Sequence, residues 1–96
     1  MSRRVIFKFR LYVAADTLNS TQATANLRAL CGAHLAGRHE IEVVDVFREP
    51  QRALAEAIRM TPTLLKLAPP PVKRIVGTLA QTQRVLEALG LDISVA

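Results

Sequence analysis

Val5, Phe7, Phe9, Leu11 and Val13 occupy alternate positions near the start of the chain, with Lys8, Arg10 and Tyr12 between them. A period of two is that of a strand, so this stretch predicts a first strand with one strongly apolar face. Residues 14–20 are rich in turn and cap formers, and Asn19 or Ser20 is placed to accept the free N–H groups of a following helix. That helix is expected over about 21–36, with Ala23, Leu27, Leu30 and His34 as its apolar stripe, Cys31 and Leu35 broadening it, and Gly37 as a left-handed stop. Ile41 to Val46 is nearly continuous in β-branched residues, which predicts a central strand covered on both faces. It should pair parallel with the first through a right-handed crossover. Pro50 suits the first turn of a short helix carrying Leu54, Ala55 and Ile58, which Pro62 forbids from continuing. Thr63–Leu67 and Val72–Val76 flank the stiff turn Ala68-Pro69-Pro70-Pro71 and predict an antiparallel pair. Val85, Leu86 and Leu89 mark a last helix, with Gly90 just past its end. The expected architecture is α/β in the order β-α-β-α-β-β-α, with residues 1–96 as one domain and no internal repeat or long linker.

Composition narrows the chemistry. With 96 residues, half of them hydrophobic and 22% charged, the chain has room for one core of modest stability, so self-association into an oligomer is expected. The single cysteine, Cys31, excludes an intramolecular disulfide, a CxxC redox pair and an all-cysteine zinc site. His34 and His39 do not stack on one helical face as an i,i+4 ligand pair does, so no metal is expected. No apolar run approaches the ~20 residues that span a bilayer, and charge interrupts residues 1–8 too soon for a signal peptide. A cytoplasmic protein without membrane contact is the expectation. The net charge of +5 is unevenly spread: residues 40–56 carry five acids against two bases, whereas residues 57–86 carry Arg59, Lys66, Lys73, Arg74 and Arg84 and no acid. The aromatics are too few and too much part of the first strand to form a base-stacking platform. The basic segment therefore points to an acidic protein surface rather than to nucleic acid.

The element order, with a proline directly ahead of the third strand, resembles the thioredoxin fold, and Thr61-Pro62-Thr63 stands where that fold has its cis-proline. The loop opening the first helix holds no sulfur, so thiol exchange is excluded, and Cys31 reads as an inert core thiol. Ser20, His34 and Asp45 fail as a catalytic triad, because Ser20 and His34 lie about 21 Å apart along one helix. Neither GxGxxG nor GxxxxGK[ST] occurs, so no nucleotide cofactor is expected. A protein-interaction module is favoured over a degenerate thioredoxin-like enzyme or carrier.

Two segments carry a more specific resemblance. Leu11-Tyr12-Val13-Ala14-Ala15-Asp16-Thr17-Leu18-Asn19-Ser20 is one. The other runs from Thr61-Pro62-Thr63-Leu64-Leu65-Lys66 through Pro69-Pro70-Pro71-Val72-Lys73-Arg74-Ile75-Val76-Gly77, with Val44-Asp45-Val46 and Pro50-Gln51 between them. Both resemble the signatures of the KaiB family of circadian clock proteins over about residues 5–91. The resemblance implies a non-enzymatic regulator that binds a KaiC-type hexameric ATPase and kinase and modulates its phosphorylation or ATPase cycle. An adaptor domain for another partner, such as a sensor histidine kinase, is the alternative. It further implies partner contacts at Lys66, Lys73 and Arg74 together with Asn19 and Ser20. It also implies two arrangements of the chain, the thioredoxin-like order in the form that binds KaiC and βαββααβ in an oligomer, with Pro62, Ala88 and Gly90 as the candidate switch positions; Ala88 stands where the family commonly has glycine. Gln22 replaces a usual base, Ala15-Asp16-Thr17-Leu18 replaces Gly-Asn-Thr-Pro, and residues up to Ala96 lack the acidic tail of cyanobacterial members. On these departures KaiA is a doubtful partner.

Overall fold

A computed structural model describes residues 5–91. Its elements are β1 (Phe7–Val13), α1 (Leu18–His34), β2 (His39–Asp45), α2 (Pro50–Ala55), β3 (Thr63–Ala68), β4 (Lys73–Val76) and α3 (Thr82–Ala88). The expected β-α-β-α-β-β-α order is therefore present. One four-stranded sheet has the strand order β2-β1-β3-β4. β1 runs parallel to β2 and antiparallel to β3, and β3 runs antiparallel to β4.

The alternation in β1 divides the core in two. Phe9, Leu11 and Val13 join Ala23, Leu27, Leu30 and Cys31 of α1, Leu64 of β3, and Val85 and Leu86 of α3 in the larger cluster. Tyr12, on the opposite face, packs with Val44, Ala53 of α2 and Leu65 in a smaller one. Tyr12 was expected among the polar positions of the strand and is instead fully buried, because α2 covers the face that the alternation leaves to it.

Several boundaries depart from the sequence expectation. α1 begins at Leu18 with Thr17 as its cap: the Thr17 hydroxyl accepts the Ser20 N–H at 3.4 Å. Ser20 Oγ turns the other way and accepts the N–H of Ala14 at 2.9 Å, so it closes the preceding loop rather than capping the helix. His34 is exposed at the last position of α1 and does not join the buried stripe, because Leu35, adopting a non-helical C-cap conformation, takes the buried place. Gly37, at φ 72°, makes the expected left-handed turn after the helix. α2 is shorter than predicted and stops at Ala55, where Ala57 at φ 55° ends the helical path.

β2 is an edge strand, not a central one. Among the described residues it has β1 as its sole neighbour in the sheet, and Glu40, Glu42 and Val43 are exposed. β-branching reports how well a side chain suits a pleated surface, whichever place in the sheet the strand takes. The central places fall to β1 and β3, the strands with neighbours on both sides.

Candidate partner-binding surface

The residues expected to meet a partner do not form one patch. Asn19 lies exposed in the first turn of α1, whereas Ser20 is buried and engaged with Ala14. Pro62 is buried, follows a cis peptide bond from Thr61, and its carbonyl accepts the Gly77 N–H at 3.0 Å. Since Thr63 pairs with Tyr12, Pro62 and the start of α1 share the end of the sheet where β1 leaves for its helix. Lys66, opposite Phe9 in the same register, lies about 10 Å further down the strand pair.

The three bases are themselves divided. Lys66 pairs in register with Lys73, and Leu64 with Ile75, on the face that carries α1 and α3. Arg74 pairs with Leu65 and lies on the α2 face. Its guanidinium donates to the carbonyls of Glu56 at 2.6 Å and Ala57 at 3.2 Å, so it clasps the end of α2. Lys66, expected in an exposed basic face, is only 4% exposed. Burial, and then the neighbouring charge of Lys73, hold its ammonium below the ordinary lysine pKa. Lys73 remains exposed.

Two features of the surface carried no signal in the sequence. Leu18 at the start of α1, Phe47 after β2, Met60 before β3 and Val76 at the close of β4 are all exposed, Phe47 by 71% and Leu18 by 70%. Each lies at or beside the end of the sheet where β1 leaves for α1, the end that also carries Asn19. These side chains stand outside the periodic runs, and their gathering depends on the strand order. Ion pairing on the α2 face is the second feature. The Arg52 fork meets both oxygens of Glu42 at 2.9 and 3.0 Å, Arg10 Nε meets Glu42 at 2.8 Å and Nη1 meets Glu56 at 3.2 Å. Arg52 and then Arg10 lower the Glu42 pKa from 4.5 to about 2. Contacts at sequence separations of 10 and 32 have no local signature.

Chemistry beyond binding finds little material. Cys31 is buried, and desolvation raises its thiol pKa to about 11, so the reactive thiolate is scarce near neutrality. Among the described residues no group of three or more His, Cys, Asp or Glu side chains is placed to hold a metal ion. No helix among them is long and apolar enough to cross a membrane.

Comparison with known proteins agrees with this geometry. A circadian clock protein from Synechocystis, KaiB3, is 45% identical over 84 residues, covering 88% of this chain and 80% of its own. The circadian clock oscillator protein KaiB of Prochlorococcus marinus is 44% identical over 93 residues, covering 97% and 76%. Among solved structures, the N-terminal domain of Synechococcus elongatus SasA superposes with a TM-score of 0.74 at 18% identity, covering 100% of this chain and 94% of that one. Chloroplastic thioredoxin z does so at 0.73 and 22%, covering 91% and 78%. These two likenesses establish the thioredoxin-like fold. With the KaiB domain model matching residues 10–91, through the start of α1 and the Pro-rich β3–β4 hairpin alike, the chain belongs to the KaiB family of circadian clock proteins.

Proposed function

We propose that this protein is a non-enzymatic regulator that binds a KaiC-type hexameric ATPase and alters its phosphorylation or ATPase cycle. The family match over residues 10–91 carries the reading. The thioredoxin-like order supports it, since the family resemblance assigns that order to the KaiC-binding form. Lys73 with its register partner Lys66, and Asn19 at the end of the sheet that also carries the exposed Leu18, Phe47, Met60 and Val76, are the proposed contacts. Arg74 serves them indirectly by fixing α2, and Ser20 by closing the loop ahead of α1. Self-association as a dimer or tetramer belongs to the same reading, and KaiA remains a doubtful partner. A buried, protonated thiol at Cys31 is consistent with a role that needs no catalysis.

The test is a pull-down of a KaiC-type ATPase from the same genome with the wild type and with a Lys66→Ala/Lys73→Ala/Asn19→Ala variant. Retention by the wild type and loss by the variant is expected. Retention by neither refutes the assignment, and equal retention by both refutes the site. The likeness to the SasA N-terminal domain favours a second reading, an adaptor for another partner such as a sensor histidine kinase. Capture of a histidine kinase in preference to the ATPase would select it.

A further inference from the structure

The face of the sheet opposite α1 and α3 has a thin cover. Tyr12 of β1, Val44 of β2 and Leu65 of β3 are buried there, and α2 adds one buried side chain, Ala53. Leu54, the largest apolar residue of α2, is instead 78% exposed. A helix is ordinarily held to a sheet by an apolar stripe, and α2 presents none. Its ties are polar and lie wholly or partly in water: Arg52 on Glu42, Arg10 of β1 on Glu56, and Arg74 of β4 on the carbonyls of Glu56 and Ala57. Water competes for every one of them, so each contributes little.

Two features oppose the closed position. The Tyr12 hydroxyl has no hydrogen-bond partner among the described residues, and it gains one from water once α2 moves away. Ala57, two residues past the helix, is held at φ 55°, a left-handed conformation unfavourable for a residue with a Cβ. A helix of six residues also has no stability of its own in water.

We propose that α2 is a lid held shut by ion pairs: residues 50–56 leave the sheet and lose their helix as a unit while the four strands stay paired, which uncovers the strip of Tyr12, Val44 and Leu65. One hinge is the turn in which the Arg48 and Glu49 N–H groups donate to the Asp45 carbonyl at 3.1 and 2.9 Å, and the other is Ala57. Salt loosens the lid by screening its ties. This opening is distinct from the βαββααβ arrangement that the family resemblance implies, because that arrangement changes the order of the elements after β2 and the lid leaves β3 and β4 in place.

Native-state hydrogen exchange of the full chain, followed by NMR in low urea and at two salt concentrations, tests this. The Ala53 and Glu56 amides, which donate to the carbonyls of Glu49 and Arg52, should be protected about a hundredfold less than the best-protected amides of β1 and β3. Their protection should hardly depend on urea, because a short helix uncovers little surface. Raising salt from about 0.05 to about 1 M, or making Glu42→Gln, should lower it about threefold. Tyr12→Phe should raise it about fivefold by removing the orphaned hydroxyl, and Ala57→Gly should raise it by relieving the left-handed residue. Equal protection and equal urea dependence in α2 and the central strands would show that α2 leaves only on global unfolding, and would overturn the lid. Loss of protection in β3 together with α2 would report the second arrangement and overturn it equally. Protection that neither salt nor Glu42→Gln changes would overturn the ion pairs as what holds it shut.

Discussion

Single residues reveal conflicts that the periodic pattern conceals. Tyr12 is fully buried beneath α2, and its hydroxyl has no hydrogen-bond partner among the described residues. A buried hydroxyl without a partner costs about 1–3 kcal/mol relative to one left in water. Tyr12→Phe keeps the ring against Val44, Ala53 and Leu65 and removes the orphan, so it should raise the stability of this arrangement by about 1 kcal/mol. The urea midpoint reads it, and a lower midpoint would mean that the hydroxyl finds a partner in solution. Alternation marked Tyr12 as a residue on the polar side of the strand, and only the presence of α2 above it turned that side into core.

At the scale of elements, α2 shows how a short helix is held. It spans six residues, lacks a side-chain cap, and buries Ala53 alone. Its place is kept by Arg52 on Glu42 and Glu49, by Arg10 on Glu56 just past its end, and by Arg74 on the carbonyls of Glu56 and Ala57. Because the folded Glu42 pKa is depressed to about 2 from 4.5, its contribution is complete above the unfolded value and is lost as pH falls from there towards the folded one. Glu42 is half exposed, so solvent screening keeps the effect near that of a surface pair, about 0.2–1 kcal/mol. Glu42→Gln should therefore lower stability at neutral pH and flatten the loss between about pH 4.5 and 2. Denaturant melts across that range measure it, and parallel curves for variant and wild type would contradict it.

The last helix yields a second prediction at this scale. Ala88 is its final residue and is exposed, while Gly90 at φ 74° makes the turn beyond it. An interior Ala→Gly change costs about 0.8–1 kcal/mol, and a terminal one costs less. Ala88→Gly should therefore shift the population away from the order seen here, and towards any competing βαββααβ form, by about twofold. Solution NMR of both proteins decides it. An unchanged ratio of amide peak sets, or a rise in the thioredoxin-like set, would contradict the helix-propensity account.

Across the whole molecule, charge is distributed by the sheet. The acids of residues 40–56 lie on the edge strand β2 and at the two ends of α2, where Glu42, Asp45, Glu49 and Glu56 are engaged by arginines. Of the bases of residues 57–86, Lys66, Lys73 and Arg84 lie on β3, β4 and α3, and Lys73 stays exposed, whereas Arg74 of β4 reaches the end of α2. Association with an acidic partner should then slow and weaken as salt rises, by about tenfold in on-rate between 0.05 and 0.5 M. Stopped-flow mixing with the ATPase proposed as partner checks this, and salt-independent rates would show that apolar contacts dominate instead. The sequence by itself determined the kind and order of the elements, the proline ahead of β3, the inert Cys31 and the glycine stops, because period, cap chemistry and backbone restriction act within a few residues. It also carried the family, through strings that recur as strings. Tertiary structure alone decided that β2 lies at the edge, that Tyr12 and Lys66 are buried, that Arg74 serves α2 rather than the lysine face, and that Leu18, Phe47, Met60 and Val76 share one end of the sheet. Each of these depends on which strands become neighbours and which face a helix covers, and those choices rest on contacts between residues far apart in the chain, which no local pattern records.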